Sequence, residues 1–161
     1  MRIREELVEA VCAGNTKSIL AALRHGTKPD VCYRGRPLLM WAIQERQLSI
    51  VRALVRAGAS LDKKDADGFT PLDQAVGEGD AKIVSFLLKA GARVNRRTRN
   101  GTPLHTACAY RRVAIAKILL AHGASTSALD DDGQTPADLT KRQANATDKA
   151  LQKMLNESNA A

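Results

Sequence analysis

Apolar residues recur along the 161-residue chain at helical spacing, in short segments that come in pairs. Leu7, Ala10 and Val11 mark one segment and Ile19, Leu20 and Leu23 the next, with Gly14-Asn15 between them. The pairing returns as Leu39, Trp41, Ala42 and Ile43 followed by Ile50, Val51, Leu54 and Val55. Further on, Ile83, Val84, Leu87 and Leu88 form one segment, and Ile115, Ile118, Leu119 and Leu120 another. Residues three and four apart share a helix face, so each set predicts one buried stripe on a short helix. Leu151, Met154 and Leu155 predict a last helix with a single apolar side, and residues 156–161 are expected to fray.

The punctuation between these segments is periodic. Turn glycines fall at Gly35, Gly68, Gly101 and Gly133, at intervals of 33, 33 and 32 residues. Gly26, Gly58, Gly91 and Gly123 close the second helix of successive pairs at intervals of 32, 33 and 32. Two landmarks that keep one period mark an internal repeat, with units at about 1–31, 32–64, 65–97, 98–129 and 130–161. The short interval can be located. Phe69 and Gln134 separate their glycines from the next threonine, whereas Gly101 runs straight into Thr102.

The unit from Asp65 to Asn95 shows the local chemistry best. Thr70 is a good N-cap, Pro71 loses nothing at the first helical position, and Asp73 completes a capping box that suits the helix dipole. Gly91 supplies the left-handed residue that ends the second helix. The first unit instead starts with Arg2, Arg4, Glu5 and Glu6, and the last places Thr140 and Lys141 where inner units carry small apolar residues. Both ends read as caps with a wet outer face.

Thr102-Pro103-Leu104-His105-Thr106-Ala107 reads TPLHTA, with weaker copies at Thr70 to Ala75 and Thr135 to Thr140 and a remnant at Pro37 to Ala42. With this motif and this period, the chain resembles the ankyrin-repeat family over almost all of its length. The resemblance implies an all-α solenoid of about five stacked helix-turn-helix units joined by β-turn fingers, forming a single domain over residues 1–161. It also implies recognition of a partner protein on a concave face built from turn tips and first helices. Matched to the family's contact positions, that face takes Val31, Tyr33, Arg34, Arg36, Gln44 and Glu45 from the second unit. The third contributes Lys64, Ala66, Asp67, Phe69, Gly77 and Glu78, and the fourth Arg97, Arg99, Asn100, Ala109 and Tyr110. Leu129, Asp131, Asp132 and Gln134 follow from the fifth.

Composition supports stacked short helices, since aromatics make up only 3% of the chain. Three of the five, Tyr33, Phe69 and Tyr110, fall on the implied face, one per inner unit, and aromatics concentrate at interface hot spots. Cys12, Cys32 and Cys108 form an odd set without a C-x-x-C, which argues against a disulfide framework or a zinc module and fits a reducing compartment. The charge-interrupted N-terminus does not read as a signal peptide, and no run of about 18 apolar residues occurs. A soluble, cytoplasmic, monomeric protein without a membrane partner is expected.

Candidate chemistry is sparse. His105 and Cys108 lie three apart on one helix, as a nucleophile pair or two metal ligands would, yet repeat position accounts for both and no third ligand is apparent. Asp65-Ala66-Asp67-Gly68 and Asp130-Asp131-Asp132-Gly133 begin like calcium loops but do not continue to a bidentate Glu, so they read as Asp/Gly turns. Gly77-Glu78-Gly79 lacks the context of a phosphate loop. Neither a catalytic residue nor a metal or cofactor is expected.

The net charge of +8 raises the question of nucleic acid. On the implied face Arg34, Arg36, Lys64, Arg97 and Arg99 balance Glu45, Asp67, Glu78, Asp131 and Asp132, so the excess lies elsewhere. Much of it, at Arg52, Arg56, Lys82, Lys89 and Lys117, falls on polar positions of the second helices. From Gly91 to Arg112 there are six arginines and no acid, a local cluster suited to an acidic patch on a partner. The expectation is a non-enzymatic protein-binding module, in one version an inhibitor or immunity protein for a cognate toxin or enzyme. The alternative is nucleic-acid binding through the basic 91–112 segment and the back face.

Overall fold

The computed structural model describes residues 2–98, 100–141 and 146–159. Four helix pairs follow one another. They are α1 (Arg2–Cys12) with α2 (Thr16–Arg24), α3 (Leu38–Gln44) with α4 (Leu48–Arg56), α5 (Pro71–Glu78) with α6 (Ala81–Lys89), and α7 (Pro103–Ala109) with α8 (Val113–Ala121). A 3-10 turn at Asp138–Thr140 and the longer α9 (Ala146–Asn159) close the chain. First helices pack against first helices (α1 on α3, α3 on α5, α5 on α7), and second helices stack in a parallel row from α2 to α8. The structure is the expected all-α stack.

Helices of seven to nine residues are marginal alone, so packing between units must hold them. Ile43, Ile50, Leu54, Leu72, Ile83, Leu87, Leu104 and Leu119 are fully buried and belong to one continuous apolar cluster. Leu7, Val11 and Ile19 extend it at one end, Leu151 and Leu155 at the other. Leu20 departs from expectation. It is 36% exposed. The end of α9 departs too, since residues 156–159 are helical rather than frayed.

Local chemistry ends each helix as the residues dictate. Thr70 and Asp73 form the full capping box, with Pro71 at the first turn. Asn15 and Asp80 accept from the first turns of α2 and α6. The glycines that close the second helices, Gly26, Gly58, Gly91 and Gly123, all have positive φ. The last unit departs furthest. Thr135 and Asp138 rebuild the capping hydrogen bonds, but only one 3-10 turn follows before α9 packs on α8.

Candidate protein-binding face

Two of the fingers between units are built by aspartate side chains. The Asp65 N–H donates to the Phe69 carbonyl, and Asp65 Oδ1 accepts the N–H groups of Asp67 (3.1 Å) and Phe69 (2.9 Å). Asp130 repeats the arrangement with Asp132 (3.0 Å) and Gln134 (2.8 Å). These acids are therefore spent on turn geometry. In the second unit the finger is a short hairpin of β1 (Cys32–Tyr33) and β2 (Arg36–Pro37). The fourth finger is one residue shorter, and Thr98 exchanges backbone hydrogen bonds with Gly101. Here glycine is required, because a Cβ at Gly101 (φ +83°) would lie 2.7 Å from the His105 ring and 3.0 Å from Asp130.

The implied contact residues of the second unit are partly engaged within the chain. The Tyr33 hydroxyl donates to Glu5 of α1 at 3.2 Å, and its ring packs 6.4 Å from Trp41. Arg34 stacks over Tyr33, while Arg36 stacks over Trp41, donates to Gln44 and lies 3.9 Å from Asp65. Gln44 in turn donates to Glu45. Tyr33 thus takes part in packing within the chain while remaining half-buried on this face. In the third unit Lys64 reaches the Arg97 carbonyl, Asp67 is exposed at the finger tip, Phe69 is half-buried, and Gln74 holds Glu78 at 2.7 Å. In the fourth, Asn100 is exposed and Tyr110, at 60%, is among the most exposed large side chains described. Arg99 lies outside the described residues.

Three of the six arginines in the basic segment are matched one unit away. Arg93 pairs with Asp62, Arg97 with Asp131 and Arg111 with the buried Asp148, each at 3.0 Å. Exposed pairs such as Arg97–Asp131 contribute little stability, but they halve the free charge of the cluster.

Grooves open on this face at successive unit junctions. One of about 290 Å³ lies between Arg34, Arg36 and Trp41 and the next finger at Asp65 to Asp67. A second, of about 240 Å³, runs between Phe69, Asp73, Gln74 and Glu78 on one side and Asn100, Thr106 and Tyr110 on the other. A third, of about 280 Å³, continues past Tyr110 to Asp130, Asp131, Asp132 and Gln134. Tyr110 forms a wall between the second and the third.

Inside the stack the reactive side chains are committed. His105 Nδ1 accepts the Thr102 N–H at 3.0 Å. Its Nε2 therefore carries the proton, which it donates to the Gln134 carbonyl at 3.0 Å. Cys108 is buried, and desolvation pushes its thiol up to about 12, so it is not a thiolate at neutral pH. Burial also raises the Asp73 carboxyl above the ordinary aspartate value, against the hydrogen bonds from Thr70. Asp138, in the same local motif but open to solvent and bound by Lys141, is lowered instead. Among the described residues, no group of three or more His, Cys, Asp or Glu side chains is arranged to hold a metal, and no helix is long and apolar enough to cross a membrane.

Comparison with known proteins gives this architecture its family. Residues 7–98 match the model of ankyrin repeats in three copies, and residues 87–139 match a second model of multiple ankyrin repeats. The chain is an ankyrin-repeat protein. It is similar to protein phosphatase 1 regulatory subunit 27 of Mus musculus, with 38% identity over 99 residues, 60% of this chain and 64% of the relative. It is also similar to putative ankyrin repeat protein FPV222 of fowlpox virus, at 31% over 123 residues, and to the E3 ubiquitin-protein ligase Ufd4 of Drosophila melanogaster, at 34% over 116. These matches cover 73% and 71% of this chain but only 16% and 4% of the two relatives. The chain thus spans less than two thirds of the length of each. Ankyrin repeats are protein-interaction units, and membership implies a protein partner.

Two groove residues of this ankyrin face carry more than their sequence positions promised. Asp73 was legible as a cap, but Thr106 was not singled out at all. Each buries a side-chain oxygen that has no hydrogen-bond partner among the described residues, Asp73 Oδ1 and Thr106 Oγ1. The available signal lay in Asp73, since the intact motif one unit later has His105 at that position.

Proposed function

We propose that this ankyrin-repeat protein is a non-enzymatic binding module whose partner lies across the fingers and first helices of the second to fourth units. The contact set is Tyr33, Arg34, Arg36, Gln44 and Glu45, then Lys64, Asp67, Phe69 and Glu78, then Arg97, Arg99, Asn100 and Tyr110. The observation that carries this reading is the highly exposed Tyr110 between two adjoining grooves on one face. An aromatic with one open face beside a groove suits an interface anchor. Similarity to a phosphatase regulatory subunit supports a role in controlling another protein, and inhibition of a cognate toxin or enzyme is one form that role takes. An acidic patch on the partner would meet Arg34 and Arg97. Pairing of Arg93, Arg97 and Arg111 within the chain weakens that attraction.

Affinity purification with mass spectrometry tests this when the wild type is run beside Phe69→Ala/Tyr110→Ala and beside Lys82→Glu/Lys89→Glu on the second helices. Loss of one specific protein with the aromatic pair alone supports the face, and capture indifferent to that pair overturns it. The row of exposed Arg52, Arg56, Lys82, Lys89 and Lys117 favours nucleic acid as a second reading. A gel shift at two salt concentrations decides between them, because phosphate contacts give a steep salt slope.

A further inference from the structure

The junction between the third and fourth units differs from the next one along. At the junction of the fourth and fifth units, His105 bridges to the following finger through the Gln134 carbonyl. Asp73 stands at the matching position of the third unit, and the finger it faces is the one shortened by a residue. Asp73 Oδ2 is occupied by the Thr70 N–H (3.1 Å) and hydroxyl (2.6 Å), while Oδ1 has no partner. Thr106 Oγ1, across the junction on α7, has none either. Asp73 is 3% and Thr106 8% exposed, and both line the 240 Å³ groove. An unpaired buried acceptor is destabilising, and a ligand bringing a donor relieves that cost.

Charge points to the kind of donor. This groove and the one beyond Tyr110 are lined by Asp73, Glu78, Asp130, Asp131 and Asp132, and no Lys or Arg among the described residues lines either. That inversion occurs in a chain of net charge +8. The neighbouring cations are held at the rims by contacts of their own. Lys64 donates to the Arg97 carbonyl, Arg97 pairs with Asp131 of the adjoining groove, and Arg112 reaches the carbonyl of Gly77 at the edge of this one. Phe69 and Tyr110 add aromatic surface to the groove, and aromatic faces attract cations.

We infer that the groove between the third and fourth units is a receptor for a lysine or arginine side chain carried on a basic segment of the partner. This rests on the proposed contact face and adds the chemistry that face selects. The head group occupies the space between Phe69, Glu78 and Tyr110 and points its donors toward Asp73 and Thr106. The following basic residue of the segment meets Asp132 beyond Tyr110, since Asp130 holds its turn and Asp131 is paired with Arg97.

The test titrates the full 15N-labelled chain with acetylated octapeptide amides alternating Ser with Arg, Ser with Lys, or Ser with Glu. Either basic peptide should shift the amides of Gly77, Asn100, Thr106 and Tyr110 in a salt-dependent way, and the acidic peptide should not. Asp73→His, which copies the residue of the fourth unit, and Tyr110→Ala should each weaken binding roughly tenfold. Circular dichroism checks the fold of Asp73→His, and Glu78→Gln replaces it if the fold is lost. Absence of shifts, shifts on the second helices, equal shifts with the acidic peptide, or affinities unchanged in the variants overturn the inference. The parent reading fails separately. If capture of the natural partner requires Phe69 and Tyr110 but ignores Asp73→His and the basic peptides, only the cation receptor falls.

Discussion

Asp73 and Asp138 show one sequence motif acquiring opposite properties. Both accept from a threonine three residues earlier, with the hydroxyl at 2.6 Å in each case. Burial under the fourth unit raises the first, whereas Lys141 and the Thr135 hydrogen bonds lower the second at the open end. A raised acid favours folding while protonated, and that contribution disappears as pH rises from the ordinary value of 3.8 through the folded-state value. A lowered acid contributes above its ordinary value and loses that contribution as pH falls. Carboxyl-detected NMR titration should therefore place the Asp73 midpoint above 3.8 and the Asp138 midpoint below it. Identical midpoints would contradict the burial argument. Cysteine reactivity follows the same logic. A thiol reagent should label the exposed Cys12 in the native protein and Cys108 only on unfolding.

At the level of elements, the hydrophobic spacing located the helices well because a 3.6-residue period has few competing explanations. Leu87 exemplifies it, fully buried in α6 as its spacing requires. Leu87→Ala should destabilise the protein by roughly 2–5 kcal/mol through the cavity it leaves, measured by urea unfolding. The glycines were equally legible, since a left-handed residue is demanded wherever a helix closes or a finger turns. At Gly101 substitution should be severe, because alanine meets both a positive φ and the His105 ring. A melting temperature unchanged in Gly101→Ala would refute that geometry. The last unit was less legible. Its threonine-proline start promised another helix, but Asp138–Thr140 completes only a 3-10 turn before α9 takes over packing on α8.

For the whole molecule, stability propagates between neighbours and depends on its ends. Leu151 and Leu155 of α9 are fully buried, and Asp148 of the same helix receives Arg111 from the loop after α7. Leu151→Ala should lower hydrogen-exchange protection in α8 before it does so in α2, and uniform loss along the chain would count against stacking by neighbours. Sequence by itself determined the repeat, its register, the helix ends and the family, because these follow from local spacing and backbone preference. Only the tertiary structure decided what the units do to one another. It paired Arg93, Arg97 and Arg111 of the 91–112 segment with acids one unit away, tied the Tyr33 hydroxyl to Glu5, and left Asp73 Oδ1 and Thr106 Oγ1 without a partner among the described residues at one junction. The physical reason is that charge and hydrogen-bond satisfaction depend on which groups meet across a junction, and linear spacing does not encode those meetings.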